Sequence, residues 1–565
     1  MKASGADAST SRNLHAAALA HAMAGDLAAC VRICMEAIGD RLRARALASE
    51  DNHIAYLLAE CLARLGRPSA SLSVLGQVTP IDINAGRQAL MTIGVIFNSN
   101  LGGRALAEAA AQPDDAYYAP GSARMLLELH AACGEIDGYF RRIDIARLAR
   151  EQPSVCARAY FWWPYAASMT NAAYREALVA FHRDEQRRLG APAHGEVAAT
   201  RPPDRSDGRM HIGYLTSFLG SSSFQAAVQP IIARHDRTRC RVTVVSIDDS
   251  GAAAPGLPPD IALVRLNATD PMPLAQHLAA LGLDVLVDVV SFGDLHQSVF
   301  RAFYWKPAPV IATWLNATGT SGHPCIDFII ADAALIPPGW EAHFTEKVAR
   351  RPTVAACYVP AAPLPRPAPL PAEGRIRFGN SANHHKVTPE SIGLWAGVLR
   401  ALPDSDFALR SPLLVDASMR ERAHRLFEHH GVARDRVILE ATRGFDSYIR
   451  SYHDVSVILG TFPAHGGLTI MEALWMGVPT VCLSGPTYMS RVGADVLAPL
   501  GLADLCPDSA EGFVDIAVRL AGDRKRLGEM RVGLRQDLDA GLGFAPATMA
   551  REAEDLFAAM LQARI

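Results

Sequence analysis

The sequence lacks the long apolar runs, the cysteine pairs and the excess of positive charge that mark several common classes of protein. No segment reaches the roughly 18 uninterrupted apolar residues that a membrane span requires. The ten cysteines are scattered without a Cys-x-x-Cys pair, so we expect reduced, buried thiols rather than a metal site. The net charge of −3 argues against the basic surface of a nucleic-acid-binding protein.

The N-terminus also lacks the features of a secretory signal. Lys2 is followed by small and polar residues, whereas a signal peptide carries a continuous apolar core behind its positive charge. We therefore expect a cytoplasmic protein. Half of the residues are hydrophobic and 20% are charged, as in globular proteins, and 565 residues are too many for one core.

The first third of the chain has a helical pattern. Apolar residues recur every three or four positions, which predicts an all-helical domain over residues 1–190. Three passages indicate a helix, a turn and a second helix, with turns at residues 25–26, 66–67 and 134–135. This arrangement resembles tetratricopeptide-type hairpins. The domain either binds a partner or packs against the rest of the chain.

Beyond this domain, short β-branched strands alternate with helices. Residues 191–209 are polar and rich in proline and glycine, as in a linker. Strand patterns such as LDVLVDVVSF predict a Rossmann-like lobe over residues 210–356, and patterns such as VSVILG predict a second lobe over 375–565. The proline-rich residues 357–374 separate the lobes. Two such lobes place ligands in a cleft at the carboxyl ends of their strands.

The strongest local signal is the segment GTFPAHGGLTIMEALWMGVPTVCLSG at residues 460–485. Gly466 and Gly467 allow a ligand to approach the backbone closely. Thr469 lies at the start of a helix whose free N–H groups favour an anion such as a diphosphate. Glu472, on the same helix, is placed to reach the ribose hydroxyls of a nucleotide.

This segment resembles the donor-binding segment of the O-linked N-acetylglucosamine transferase family and its SPINDLY-type relatives, which include a bacterial adhesin N-glycosyltransferase branch. Those proteins carry a run of the form D-T-F-P-Y-N-G-G-T-T-T-x-E-A-L-W-M-G-V-P-V-V. Residues 307–332, 378–410 and 490–502 also resemble the family, so the resemblance covers about residues 210–560. It implies a GT-B type glycosyltransferase, an α/β protein with two Rossmann-like lobes behind an all-α domain.

The resemblance implies roles for individual residues. Lys386 falls on the family's essential lysine for the donor phosphates, so Lys386 and the helix end at 466–472 would replace a divalent cation, and no obligatory metal is expected. Tyr448 falls where the family places a histidine against the nucleotide; the alternative is a tyrosine packed on Tyr452. The donor-binding residues implied are Asn383, Tyr448, Gly466, Gly467, Leu468, Thr469, Glu472, Leu315 and Asn316.

The first lobe departs from the family's pattern where the family carries histidines. Ser222 stands at the first of these positions and Phe292 at the second. Asp288 is kept, and it is the best remaining group for acid–base work or for positioning the acceptor; the alternative is a strand-end carboxylate that caps a loop. Asn316 replaces a glycine that contacts the sugar, which leaves the identity of the sugar open.

These features predict an inverting glycosyltransferase that moves a sugar from a UDP-sugar to Ser, Thr or Asn of a polypeptide, with Lys386 and Asp288 as its catalytic residues. A bacterial adhesin or flagellin is the expected acceptor. His323, His385 and His465 are further candidates for contact with donor or acceptor, the alternative for each being a structural histidine. Two other functions stay open: transfer to a lipid or saccharide acceptor, and a non-catalytic helical-repeat scaffold.

Overall fold

The structure is a computed structural model, and the statements below concern the residues that it describes. These residues are 14, 16–22, 26–44, 52–64, 70, 74, 102–120, 122–192, 207–247, 256–266, 270–290, 297–315, 317–352, 357–360, 363–369, 374–442, 444–539 and 544–563.

Helices and strands alternate along most of the described chain. The helices are α1 Leu27–Arg43, α2 Asn52–Arg64, α3 Gly102–Ala110, α4 Ser122–Ala132, α5 Ile136–Phe140, α6 Ile145–Glu151, α7 Pro153–Trp162, α8 Asn171–Leu189, α9 Gln229–Arg234, α10 Pro271–Ala280, α11 Gln297–Phe303, α12 Pro389–Ala401, α13 Ala417–His429, α14 Gly444–Arg450, α15 Gly467–Trp475, α16 Val492–Leu497, α17 Ala510–Gly522, α18 Arg524–Asp539 and α19 Pro546–Gln562. The strands are β1 Met210–Thr216, β2 Cys240–Ser246, β3 Ala262–Arg265, β4 Val285–Asp288, β5 Val310–Thr313, β6 Phe328–Ala331, β7 Lys347–Arg350, β8 Arg377–Asn380, β9 Asp406–Arg410, β10 Val437–Glu440, β11 Val457–Leu459 and β12 Thr480–Val481.

Residues 1–143 and 412–425 form one compact unit, which is built from helices. Helices α1 and α2 bury their apolar faces in a shared core that includes Cys30, Ile38 and Leu58. Each helix has a single apolar stripe, so pairing the stripes removes both from water. The all-helical pattern predicted for this part of the chain is confirmed.

Two of the predicted turns in this unit are present. Asp26 precedes α1 and caps it, since its side chain accepts the Ala29 N–H at 3.0 Å. Gly134 adopts a φ of 71° between α4 and α5, a conformation that glycine reaches without strain. The turn predicted at residues 66–67 lies outside the described residues.

Residues 144–411 and 426–565 form the second unit, which contains two parallel sheets. In the described residues, the first sheet has the order β3-β2-β1-β4-β5-β6-β7 and the second the order β10-β9-β8-β11-β12. Neighbouring strands pair parallel throughout, as β1 does with β2 and β4. All four residues of β4 are buried, as expected for an inner strand covered by helices on both faces. The predicted α/β class with two Rossmann-like lobes is confirmed.

Helix α8 packs against the first lobe, although the sequence predicts it as part of the domain over residues 1–190. His182 in α8 joins its Nδ1 to the Tyr304 hydroxyl at 2.7 Å and its Nε2 to the Ser321 carbonyl at 3.1 Å. Residues 144–189 therefore group with the sheets rather than with the earlier helices. The helical period shows that one face of α8 is buried but not which partner covers it.

The C-terminal helix α19 packs on the first lobe. The sequence predicts the second lobe over residues 375–565 but leaves open on which lobe this last helix packs. Met549, Ala553 and Phe557 lie in the same core as strands β1, β2 and β4. Glu554 adds a buried hydrogen bond, with its carboxylate oxygen 3.0 Å from His235 Nδ1. The chain thus crosses back to the first sheet after completing the second.

The predictions for the proline-rich linker, the cysteines and membrane spans can also be compared with the structure. The described residues within 357–374 form neither helix nor strand, in agreement with their proline content. None of the ten cysteines forms a disulfide, and all but Cys506 are buried. In the described part of the chain, no helix combines the length and the apolar character needed to cross a membrane.

Candidate active site

A cleft of about 310 Å³ lies within the second unit at the carboxyl ends of strands from both sheets. The first lobe lines it with the loops after β1 and β5, and the second lobe lines it with the turn before α12 and the start of α15. A third wall comes from the end of α7 and the turn that follows it. The residues that line the cleft include Phe161, Tyr165, Phe218, Ser223, Leu315, Thr318, Asn383, Lys386, His465, Gly466, Gly467, Leu468, Thr469 and Asp495.

The start of α15 presents unpaired backbone donors to this cleft. Gly466 occupies the cap position, and no side chain caps the helix there. The Thr469 hydroxyl donates to the Gly466 carbonyl at 2.8 Å, which fixes the first turn. A Cβ at Gly466 would collide with Thr469 Oγ1, so the tight turn requires glycine. The uncapped N–H groups and the positive end of the helix dipole together favour an anion.

Lys386 places a positive charge beside this helix end. It ends the short 3₁₀ turn at His384–Lys386, and its Nζ donates to the His465 carbonyl at 2.9 Å. Burial disfavours the charged ammonium and lowers its pKa to about 8. Because that value lies above 7, the lysine stays mostly protonated at neutral pH. An anion in the cleft would therefore meet a desolvated cation and fixed backbone donors.

Tyr448 and Glu472 contact each other rather than the cleft. The Tyr448 hydroxyl lies 2.5 Å from the Glu472 carboxylate and 2.7 Å from the Tyr452 hydroxyl, and its ring meets that of Tyr452 edge to face. Burial raises the pKa of Glu472 to about 7, while the hydroxyls of Tyr448 and Tyr358 partly offset this by donating to it. Tyr448 therefore packs on Tyr452, which is the alternative that the sequence leaves open for it. Neither side chain is among the described residues that line the cleft.

Asp288 is fully buried at the end of β4. One carboxylate oxygen accepts the Val290 N–H at 3.0 Å, and the other accepts from the Thr313 hydroxyl at 3.4 Å. Burial raises its pKa to about 7. Asp288 is not among the described residues that line the cleft, and its contacts are those of the loop-capping alternative. Phe292 and Asn316 lie outside the described residues.

His323 makes the contacts of the structural histidine that the sequence leaves as the alternative. Its Nε2 donates to the Phe300 carbonyl at 2.9 Å, and its Nδ1 accepts the Cys325 N–H at 3.1 Å. The ring stacks on Tyr304 with centroids 4.5 Å apart. Both nitrogens are therefore occupied inside the first lobe.

The other two candidate histidines lie beside Lys386. His385 packs its ring against Trp162 and Tyr165 at 5.2 and 5.3 Å. His465 lines the cleft, and its Nδ1 accepts the Gly493 N–H at 2.8 Å. Burial lowers the pKa of His385 to about 3 and that of His465 to about 4. Both rings are therefore neutral at pH 7.

Many of the residues that line the cleft were not predicted from the sequence, among them Phe161, Tyr165, Phe218 and Ser223. Ser222, at the position of a family histidine, is exposed, and the next residue, Ser223, lines the cleft together with Phe218. Phe161 and Tyr165 come from the helical part of the chain, in which no individual site residue was predicted. The only signal was the aromatic run FWWPY at residues 161–165, which is unusually dense for a turn between helices.

In the described residues, no group of three or more His, Cys, Asp or Glu side chains is placed to hold a metal ion. The cations and donors at the cleft are instead Lys386 and the start of α15.

Comparison with known proteins gives a family match over more than half of the chain. Residues 192–356 and 368–541 match the family described as Glycosyl transferase family 41. A probable UDP-N-acetylglucosamine–peptide N-acetylglucosaminyltransferase SPINDLY of Solanum lycopersicum is 27% identical over 407 residues, which are 70% of this chain and 43% of the relative. The protein of the same description from Arabidopsis thaliana is 28% identical over 387 residues, 66% of this chain and 42% of the relative. This chain thus spans less than half the length of these relatives.

One solved structure matches along the whole chain. It is a lysine-to-methionine variant of the O-GlcNAc transferase of Thermobaculum terrenum, with a TM-score of 0.75 and 25% sequence identity. The match covers 100% of this chain and 99% of that chain, including the helical part.

Proposed function

The chain belongs to glycosyl transferase family 41, and on that premise we propose that it transfers a sugar from a UDP-sugar to a side chain of a polypeptide. The observation that carries the proposal is the position of Lys386 Nζ beside the uncapped start of α15, inside the cleft. The names of the SPINDLY relatives and of the matched solved structure support a UDP-sugar donor, N-acetylglucosamine as its sugar, and a peptide acceptor.

The chemistry suited to this cleft is a single displacement with inversion. The acceptor atom attacks the anomeric carbon and loses its proton to solvent, the bond from that carbon to the β-phosphate oxygen breaks, and UDP leaves with the electron pair. Negative charge grows on the diphosphate as the bond breaks. Lys386 and the N–H groups at the start of α15 stabilise that charge, and they do so best where water is excluded.

We further propose that no metal ion is required. A divalent cation on a diphosphate serves to neutralise the leaving group. Lys386 and the helix end already supply positive charge at this place in the described cleft. EDTA should therefore leave the rate unchanged, measured as UDP release. A rate abolished by EDTA and restored by Mn²⁺ or Mg²⁺ would refute this part of the mechanism.

The acceptor is proposed to be a Ser, Thr or Asn side chain, with a bacterial surface protein such as an adhesin or flagellin as the first to test. The proposed site of action is the cytoplasm.

The decisive experiment measures donor binding and transfer in the same preparation. Thermal melting with UDP and UDP-N-acetylglucosamine reports binding, because a ligand at about 100 times its Kd adds roughly 2.7 kcal/mol to the stability of the folded state. Intact-mass spectrometry of candidate adhesin or flagellin peptides then reports transfer. We expect binding, and a mass gain on peptide in step with UDP release.

Three other results would redirect the proposal. Transfer to lipid or saccharide acceptors with none to any peptide favours the saccharide-transferase alternative. Binding of UDP-sugar without transfer to any acceptor favours a non-catalytic scaffold. No effect of any uridine nucleotide on melting would remove the donor-site assignment itself.

A further inference from the structure

The end of α7 and the turn that follows it form an aromatic wall of the cleft, which we define as Phe161 and Tyr165. Both side chains line the cleft, and Tyr165 is 6% exposed. The wall comes from the helical part of the chain and faces the loops of the first lobe that carry Phe218 and Leu315. The proposed contacts with the diphosphate, from Lys386 and the start of α15, do not involve this wall.

The aromatic wall is fixed to the turn that carries the phosphate lysine. The His385 ring packs edge-on against Trp162 and Tyr165, at 5.2 and 5.3 Å. Tyr165 also meets Trp162 at 5.3 Å. These contacts hold the wall at a set position relative to Lys386, the next residue in the chain. A ligand anchored on Lys386 therefore meets a rigid aromatic surface.

Tyr165 lies beside the lysine that is expected to hold the donor phosphates. The Lys386 Nζ lies 6.0 Å from the centroid of its ring. Among the described residues, none forms a hydrogen bond with the Tyr165 hydroxyl. Tyr165 thus offers an apolar ring face and an unused phenolic O–H together, next to the cation that would hold a diphosphate.

We propose that Phe161 and Tyr165 bind the sugar ring of the nucleotide-sugar donor. A hexopyranose presents C–H groups on one face, which pack on an aromatic ring, and hydroxyls, which pair with a phenol. The sugar is bonded directly to the β-phosphate, so a diphosphate held by Lys386 brings it beside Tyr165. This inference rests on the proposed function, because it takes the donor diphosphate to be bound at Lys386 and α15.

The inference predicts a defect specific to the sugar half of the donor. Titration calorimetry would give the Kd of UDP and of UDP-N-acetylglucosamine for the wild type and for Tyr165→Ala. In Tyr165→Ala we expect the Kd of UDP to change by less than about twofold. The donor ratio, which is the Kd of UDP-N-acetylglucosamine divided by the Kd of UDP, should rise roughly five- to tenfold, the loss expected for one aromatic contact. In Tyr165→Phe the same ratio should stay close to its wild-type value, because this variant keeps the ring.

Matched variants keep the experiment decisive if Tyr165→Ala does not fold. Phe161→Leu removes a partly exposed ring from the same wall and should raise the ratio as well. Trp163→Leu is the control, since the Trp163 ring packs on Tyr160 and Tyr174 at 6.1 and 5.9 Å and is not among the described cleft residues. Melting curves without ligand establish that each variant is folded.

The results separate this inference from the proposed function. A ratio that stays at the wild-type value in folded Tyr165→Ala and Phe161→Leu overturns the inference. So does an equal weakening of UDP and UDP-N-acetylglucosamine, which would mean that Tyr165 acts only through Lys386. A raised KM for the peptide with an unchanged ratio would place the acceptor on the wall instead, and also overturns it. A wild-type protein that binds no uridine nucleotide contradicts the proposed function.

Discussion

The two lobes differ in how much of their predicted site the structure gathers into the cleft. In the second lobe, Asn383, Lys386 and residues 466–469 line one cleft, although some 80 positions separate the lysine from the glycines. In the first lobe, Leu315 lines it, but Asp288 and His323 are buried in the lobe interior. A phosphate site made of glycines and a helix start is local in sequence, because the backbone supplies the donors. A site made of strand-end side chains depends on the loops that cover them.

The largest effect is expected from removing the charge in the second lobe. Lys386→Met keeps much of the side-chain volume but deletes the ammonium that would balance the leaving diphosphate. We expect turnover to fall by about 100-fold or more, the scale for one preorganised group at a developing charge. Measuring kcat by UDP release checks this.

Lys525→Met is the matched control, because Lys525 is a highly exposed lysine paired only loosely with Glu529. It should retain wild-type turnover. Equal rates in Lys386→Met and wild type would show that Lys386 does not balance the charge of the leaving diphosphate.

The next effect is a pH dependence of donor binding. The pKa of Lys386 is lowered to about 8, and only the protonated form attracts the diphosphate. UDP affinity should therefore hold near pH 7 and fall about tenfold by pH 9, where roughly a tenth of the lysine remains charged. Calorimetric titration at pH 7, 8 and 9 measures it. Lys386→Met supplies the baseline, and an equally steep fall in that variant would assign the proton to another group.

A smaller effect is expected from the backbone donors. Gly466→Ala would push Thr469 out of its bond to the Gly466 carbonyl, whereas a Cβ at Gly467 meets only Val492 Cγ1 at 3.3 Å. We expect UDP to bind about fivefold more weakly to Gly466→Ala, equivalent to about 1 kcal/mol of helix-end interaction, and less of a change for Gly467→Ala. If both variants bind UDP like the wild type, α15 does not hold the phosphates.

Much of the fold was predictable from the sequence because strands and helices carry their own periodicity. The continuous apolar run of β4 and the change of period at residue 210 predict a parallel sheet and its start. The destinations of α8 and α19 were not predictable. Met549 and Phe557 mark a buried face of α19, but the strands that cover it are more than 250 positions away.

The residues of the candidate site also fall into two groups: those predictable from a local motif and those that depend on tertiary contacts. Gly466 and Lys386 belong to motifs whose chemistry is visible in the residue types themselves. The aromatic wall of Phe161 and Tyr165 reaches the cleft because Tyr165 packs on the turn at His385. This is a tertiary contact between distant positions, which the local sequence does not reveal. Conversely, the residue type of His323 suggests chemistry, but its neighbours Phe300 and Cys325 occupy both of its nitrogens.

The smallest effect on donor binding is expected from the first lobe, at Asp288. Its carboxylate is 0% exposed and accepts from Val290 and Thr313, so Asp288→Asn should change the Kd of UDP by less than about twofold. Its effect should appear in stability instead. The pKa of Asp288 is about 7 in the folded protein and near 3.8 when exposed, so the folded state holds the proton more tightly. The stability that this group contributes is present below pH 4 and lost as the pH rises through 7.

Asparagine does not titrate, so Asp288→Asn should become more stable relative to the wild type between pH 5 and 8. Urea unfolding at several pH values measures this difference, with calorimetry of UDP binding on the same samples. A variant that binds UDP normally and has the wild-type pH profile of stability, yet transfers sugar far more slowly, would contradict a purely structural Asp288. That result would return this carboxylate to the acid–base role that the sequence predicts, and the contrast between the lobes would then be one of burial rather than of function.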